Sequence, residues 1–107
     1  MKTGIQVPLN IIGKGFAIWH FGSVVIGADR IGDNFKIGVN TLIGKKTVSG
    51  KGPRIGNHVY LCSGSMIIGD VTIGDNVTIA PNSVVTKDVP SNCLVGGTPA
   101  KIIKYYD

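Results

Sequence analysis

A six-residue rhythm constrains this chain more than any other feature. Stepping by six from Val7 gives Val7, Gly13, Trp19, Val25, Ile31, Ile37, Ile43, Ser49, Ile55, Leu61, Ile67, Ile73, Ile79 and Val85, and eleven of these fourteen are Val, Ile or Leu. Neither the helical period of 3.6 nor the strand period of 2 produces such a column. A fixed hexapeptide period marks a parallel β-helix, in which each hexad forms one flat side of a triangular coil.

Two further columns agree. Three residues after each aliphatic position stand Asn10, Phe16, Gly22, Ala28, Asn34, Asn40, Lys46, Gly52, His58, Gly64, Asp70, Asn76, Asn82 and Asp88; ten of the fourteen are Asn, Gly or Asp. These types enter the left-handed backbone region at least cost, as a tight corner requires. One residue further on, the positions are mostly small or β-branched, among them Ala17, Thr41, Val59, Ser65, Val71, Val77, Ser83 and Val89. Such side chains fit a narrow interior. Three sides per turn give about eighteen residues per coil, so residues 7–90 predict four to five coils.

The 107 residues suffice for one domain, 1–107. Within it, 1–6 is a lead-in, 45–54 a loop and 91–107 a C-terminal tail. The loop reading rests on the polar, Gly- and Pro-containing Ser49–Arg54 and on the missing aliphatics at Lys45 and Lys46. In the tail, Gly96-Gly97-Thr98-Pro99 predicts a turn, with Ile102 and Ile103 folding back as a lid over the open end. So short a solenoid leaves apolar surface at its sides, and a homotrimer is the expected remedy.

The net charge of +5 is carried by scattered lysines without a basic run or interleaved aromatics. Nucleic-acid binding is not expected, whereas a positive surface suits an anionic, phosphate-bearing ligand. Cys62 and Cys93 have no CxxC spacing and read as free thiols of a reducing, cytoplasmic compartment. Met1–Gln6 has no apolar core, and no stretch is long enough to insert into a membrane. Two His and two Cys at unrelated spacings predict no metal site.

Three stretches resemble the hexapeptide-repeat acyltransferases, most closely the serine acetyltransferase-like branch. They are Gly13–His20 followed by Val24-Val25-Ile26-Gly27, then Thr41–Gly44 with the Gly/Lys loop and Pro53–Gly56, and the closing Val95–Ile103. The resemblance covers about residues 5–104 and implies an all-β, left-handed parallel β-helix with active sites between subunits. It implies acetyl-CoA as donor and a hydroxyl as acceptor, with the coenzyme against the later coils. Positions matching the family's coenzyme contacts are Ser63, Pro81, Gly97 and Lys101. Lys101 would meet a phosphate of the coenzyme, or is an ordinary solvated lysine.

His20 is the expected general base, since neutral imidazole can take the acceptor's proton and return it to the leaving thiolate. It replaces a glycine such as Gly32, Gly38 or Gly56 in other hexads, near a coil corner, and is expected to project toward a subunit cleft. Trp19 either lines the acceptor pocket or fills the interior. Gly22 and the loop glycines are candidates for the backbone N–H that meets the oxyanion. His58 falls in the corner column, where His is tolerated.

Departures from the branch bear on the acceptor. Trp19 stands where an Asp usually precedes the catalytic His, Ile5-Gln6-Val7-Pro8 lacks an acid, and Gly52 replaces the loop His. The expectation is therefore an O-acetyltransferase acting on a sugar or glycan hydroxyl. Serine is the alternative acceptor. A non-catalytic trimeric scaffold or a truncated transferase is the alternative from another class. A carbonic anhydrase would need a His triad that His20 and His58 do not supply.

Overall fold

The computed structural model describes residues 5–6, 17–18, 24–47 and 49–106. Among the described residues, fourteen short strands wind as three sheets, one for each side of the coil. The five-stranded side has the order β1 (Ile5–Gln6), β3 (Val24–Ile26), β6 (Thr41–Gly44), β9 (Met66–Ile68) and β12 (Val84–Val85). The three-stranded side holds β4 (Arg30–Ile31), β7 (Arg54–Ile55) and β10 (Thr72–Ile73). The six-stranded side runs β2 (Ala17–Ile18), β5 (Lys36–Ile37), β8 (Val59–Leu61), β11 (Val77–Ile79), β13 (Cys93–Gly96) and β14 (Lys101–Tyr105), the last antiparallel. No helix occurs among the described residues, and none is long and apolar enough to cross a membrane. The architecture is the left-handed parallel β-helix of hexapeptide repeats.

The aliphatic column becomes the core. Ile37, Leu61, Ile79 and Val95 stack behind the six-stranded side, Ile31, Ile55 and Ile73 behind the three-stranded side, and Ile43, Ile67 and Val85 behind the five-stranded side. All ten are at most 2% exposed. Burying each contributes about 1.5–3 kcal/mol. The second interior position is taken by Thr41, Val59, Ser65, Val71, Val77, Ser83 and Val89, all buried, and by Phe35, the largest fully buried side chain.

Among the described residues, two of the three corners repeat a left-handed residue from coil to coil. Asn34, His58, Asn76 and Asn92 have φ of 57, 55, 56 and 61°, and Asn40, Gly64 and Asn82 have 56, 77 and 59°. The third corner departs from the corner column: Asp70 and Asp88 do not take positive φ, and Gly69 does so in place of Asp70. Glycines that follow the aliphatic layer have a different task. A Cβ on Gly56 would stand 2.7 Å from Gly74 O, and one on Gly74 would stand 2.6 Å from Ser91 N. The next coil folds its backbone over these positions, so only hydrogen fits.

Register corrects the first hexads by one residue. Ile18, rather than Trp19, opposes Ile37, and Ile26, rather than Val25, opposes Ile43. The step from Ile18 to Ile26 is therefore two residues longer than the hexad spacing, and the step from Ile26 to Ile31 is one shorter. Partners across 45–53 lie twenty-four residues apart (Leu42 and Met66, Lys36 and Tyr60) instead of the eighteen seen later (Met66 and Val84). The loop is thus one added hexad. It ends one residue before the expected boundary, because Arg54 already pairs with Thr72 in β7.

The tail also differs from expectation. Gly97–Ala100 makes the turn, with a cis Thr98–Pro99 peptide, and the chain returns as β14 on the edge of β13. Ile102 and Ile103 do not close the open end; they are 42% and 59% exposed on that added strand.

Candidate functional site

The four expected coenzyme contacts gather at one end of the solenoid. Leu61, Ile79 and Val95 share one layer of the six-stranded side. Ser63, Pro81 and Gly97 each follow their layer residue by two, so they form a row parallel to the solenoid axis, rising about 4.8 Å per coil. Backbone bonds hold the rungs. Asn82 N–H donates to Ser63 O at 3.1 Å, and Val84 N–H donates to Gly97 O at 3.0 Å. The Ser63 hydroxyl accepts the N–H of Val39 at 3.3 Å, which ties the row to the preceding coil.

Gly97 needs its glycine, because its φ is 102°. Its N–H donates to the buried Ser83 hydroxyl at 3.0 Å. Ala100 N–H donates to Val84 O at 2.8 Å and brings the chain back into β14. Lys101 then opposes Gly96, one strand beyond the end of the row, with its side chain exposed. Ser, Pro and Gly leave the row almost free of projecting side chains, and Lys101 lies on the strand beyond its end.

His20, Trp19 and Gly22 lie outside the described residues. The backbone register pairs Ile18, one residue before Trp19, with Ile37. In the sequence His20 follows Ile18 by two, as Ser63 follows Leu61.

Cys62 adjoins this corner. Burial pushes its thiol above the ordinary value, and a hydrogen bond with the Tyr60 side chain offsets part of that. Cys93 is fully buried, which also raises its thiol, and its Sγ donates to Pro90 O at 3.3 Å. Both cysteines are free. Among the described residues no group of three or more His, Cys, Asp or Glu is placed to hold a metal.

Two surface grooves were not anticipated. One crosses the three-stranded side between Arg30, Arg54, Thr72, Asp75 and Ser91. Arg54 spends its guanidinium there on Asp70 at 2.8 Å and on Thr72 Oγ1 at 2.9 and 3.2 Å. The other, of about 530 Å³, lies on the six-stranded side between Asn34, Lys36, His58, Tyr60, Asn76 and Thr78. The position just before each layer residue points outward, and Lys36, Tyr60 and Thr78 were readable from that. The outer surface of the five-stranded side is apolar by contrast, with Leu42, Met66, Ile68 and Val84 partly exposed.

The bacterial transferase hexapeptide (six repeats) pattern matches residues 52–87. Among solved structures, a serine acetyltransferase from Brucella abortus strain S19 is 35% identical, with a TM-score of 0.82, over 89% of this chain and 40% of that one. The same enzyme in complex with coenzyme A gives 33% and 0.81, over 90% and 40%. A maltose O-acetyltransferase from Clostridium difficile 630 gives 28% and 0.69, over 90% and 58%. No curated protein matches the sequence. The chain spans about 40% of the length of the serine acetyltransferases it resembles. It is a hexapeptide-repeat β-helix similar to the acyltransferases built on that repeat.

Proposed function

We propose that the chain is an acetyl-CoA-dependent O-acetyltransferase whose acceptor is a small-molecule hydroxyl, in the first place a sugar or glycan hydroxyl. The observation that carries this reading is the row of Ser63, Pro81 and Gly97 with Lys101 beside its end. An extended pantetheine arm can lie along such a smooth row, and the ammonium group suits a coenzyme phosphate. The Brucella abortus neighbour was solved with coenzyme A, which supports the same use of the fold.

His20 is the proposed general base. It would remove the acceptor's proton as the hydroxyl attacks the thioester carbon, and then protonate the departing thiolate. A backbone N–H, with Gly22 as candidate, would meet the oxyanion, and Trp19 would border the acceptor. Serine remains the second reading, favoured by the serine acetyltransferases at 33% and 35% identity. The loss of the branch's carboxylates around the acceptor weighs against it.

The apolar five-stranded side is the proposed subunit contact of a homotrimer, since Leu42, Met66 and Val84 would otherwise face water. A cytoplasmic location belongs to the same proposal. Calorimetric titration with coenzyme A tests the donor side. Saturable binding, weakened about threefold by Lys101→Gln as expected for an exposed charge contact, supports the reading. No heat and no displacement of a fluorescent coenzyme analogue would overturn it.

A further inference from the structure

The groove on the six-stranded side is lined by polar side chains whose spacing the coil itself sets. Asn34, His58 and Asn76 occupy successive left-handed corners with φ of 57, 55 and 56°. Lys36, Tyr60 and Thr78 stand on the strands that follow these corners, in direct register with one another. Neighbouring rungs lie about 4.8 Å apart. The solenoid repeat therefore holds these residues at fixed intervals around a groove of about 530 Å³.

The chemistry of the lining narrows the ligand. Among the described residues it includes no carboxylate, so nothing there balances a bound cation. Lys36 is not a free cation, because it already interacts within the protein. Recognition then falls to the Asn34 and Asn76 carboxamides, the His58 imidazole and the Thr78 hydroxyl. A carboxamide presents a donor and an acceptor side by side, and a hydroxyl presents both on one oxygen, as the ring hydroxyls of a sugar require. Asn76 Nδ2 donates to Asn92 Oδ1 at 3.1 Å, which orients that amide. Tyr60 holds the middle rung, between Lys36 and Thr78. It is half-buried, and its side chain is hydrogen-bonded to Cys62. A ring held in this way supplies apolar surface for the C–H groups of a sugar.

From this lining we infer that the groove binds an uncharged saccharide unit. Tyr60 packs against the ring, and Asn34, His58, Asn76 and Thr78 hold its hydroxyls. Water alone satisfies such polar groups on an ordinary surface; the aromatic ring centred among them turns the array toward a sugar. The inference stands apart from acetyl transfer, because the groove shares no residue with Ser63, Pro81, Gly97 or Lys101.

The test is amide chemical-shift titration of the full chain with maltotriose, cellotriose and mannotriose, and with trigalacturonic acid as the charged comparison. The variants are Asn34→Gly, Thr78→Val and Tyr60→Ala. Glycine keeps the left-handed corner at 34, and valine keeps the β-branched shape at 78 without the hydroxyl. Thermal melts check that each variant folds, and the first two carry the test if Tyr60→Ala disturbs its strand. The expected result is saturable shifts centred on β5, β8 and β11 with at least one neutral trisaccharide. Affinity should fall about threefold or more in Asn34→Gly and Thr78→Val, and further in Tyr60→Ala. Four outcomes would overturn the inference: no saturable shift with any neutral trisaccharide, shifts centred elsewhere, tighter binding of trigalacturonic acid than of all three, or unchanged affinity in both Asn34→Gly and Thr78→Val. Displacement of the bound trisaccharide by coenzyme A would overturn it too, by assigning the groove to the donor. Trisaccharide binding by a chain that does not bind coenzyme A supports the inference and counts against acetyl transfer alone.

Discussion

Gly74→Ala should destabilise the solenoid far more than Gly44→Ala, although both glycines lie just outside the aliphatic layer. An added Cβ at Gly74 would stand 2.6 Å from Ser91 N and 2.9 Å from Ser91 Cα, and closer still to Ser91 Oγ. Backbone cannot rotate away as a side chain can. Overpacking of this kind costs about 1–3 kcal/mol. The shift also pulls Ser91 Oγ from the N–H of Asp75, a 2.8 Å bond worth about 0.5–1.5 kcal/mol. The sum is about 2–4 kcal/mol, and at about 4–8 °C per kcal/mol the melting point should fall by roughly 10 °C or more. At Gly44 the nearest atom is Leu42 Cδ1 at 3.8 Å, an ordinary contact, so the cost should stay within about 0.5 kcal/mol. The assay is thermal unfolding by circular dichroism at one fixed protein concentration, because association shifts the melting point. Melting points of the two variants within about 2 °C of each other would refute the claim that hexad glycines exist to admit the next coil.

Asn76→Val should cost about 1–2 kcal/mol, since a β-branched side chain resists a φ of 56°, whereas His58→Asn should be neutral or slightly stabilising; urea unfolding compares them. Cys62 should react slowly with iodoacetamide at pH 7.5, because burial keeps the thiol protonated; rapid labelling comparable to a free thiol would contradict this. The two raised thiols carry a sign for stability. The folded form holds its protons to higher pH than the unfolded form, so this contribution is intact below the ordinary value of 9.0 and is lost as pH rises above it. Met66→Asp places a charge on the apolar five-stranded side and should shift sedimentation toward a smaller species, with the monomer's circular dichroism retained.

The interior was legible because one periodic column writes it directly. From Ile31 onward each aliphatic hexad position except Ser49, in the added loop, is a buried layer residue. The corners were legible in two sides of three, where Asn, Gly and His sit at positive φ. The third failed because Asp70 and Asp88 are chosen for their carboxylates. Asp70 pairs with Arg54, and Asp88 Oδ1 accepts the N–H of Thr72 at 2.8 Å. Register near the N-terminus was misjudged because a strict count cannot see two added residues between Ile18 and Ile26. Trp19 therefore looked like a weak member of the aliphatic column. The loop's register was uncertain for the same reason, since a six-residue insertion preserves the count while leaving the stack.

The Ser63, Pro81, Gly97 and Lys101 set was reachable only through resemblance. No periodic rule distinguishes Pro81 from other corner residues, and the row becomes visible only when coils are stacked. The groove around Tyr60 was missed because its members carry no motif. Their common feature is a parallel register across 24 and then 18 residues, which the loop insertion hides from simple counting.

The most direct test of the acetyl-transfer account is release of the coenzyme A thiol from acetyl-CoA. Serine, free sugars and nucleotide-linked sugars serve as acceptors, with wild type and His20→Ala compared. The account predicts turnover with a sugar hydroxyl and a fall of at least about a hundredfold in the variant, as loss of a general base requires. Turnover that survives His20→Ala, or no turnover with any acceptor in a wild-type chain that also fails to bind acetyl-CoA, would contradict it.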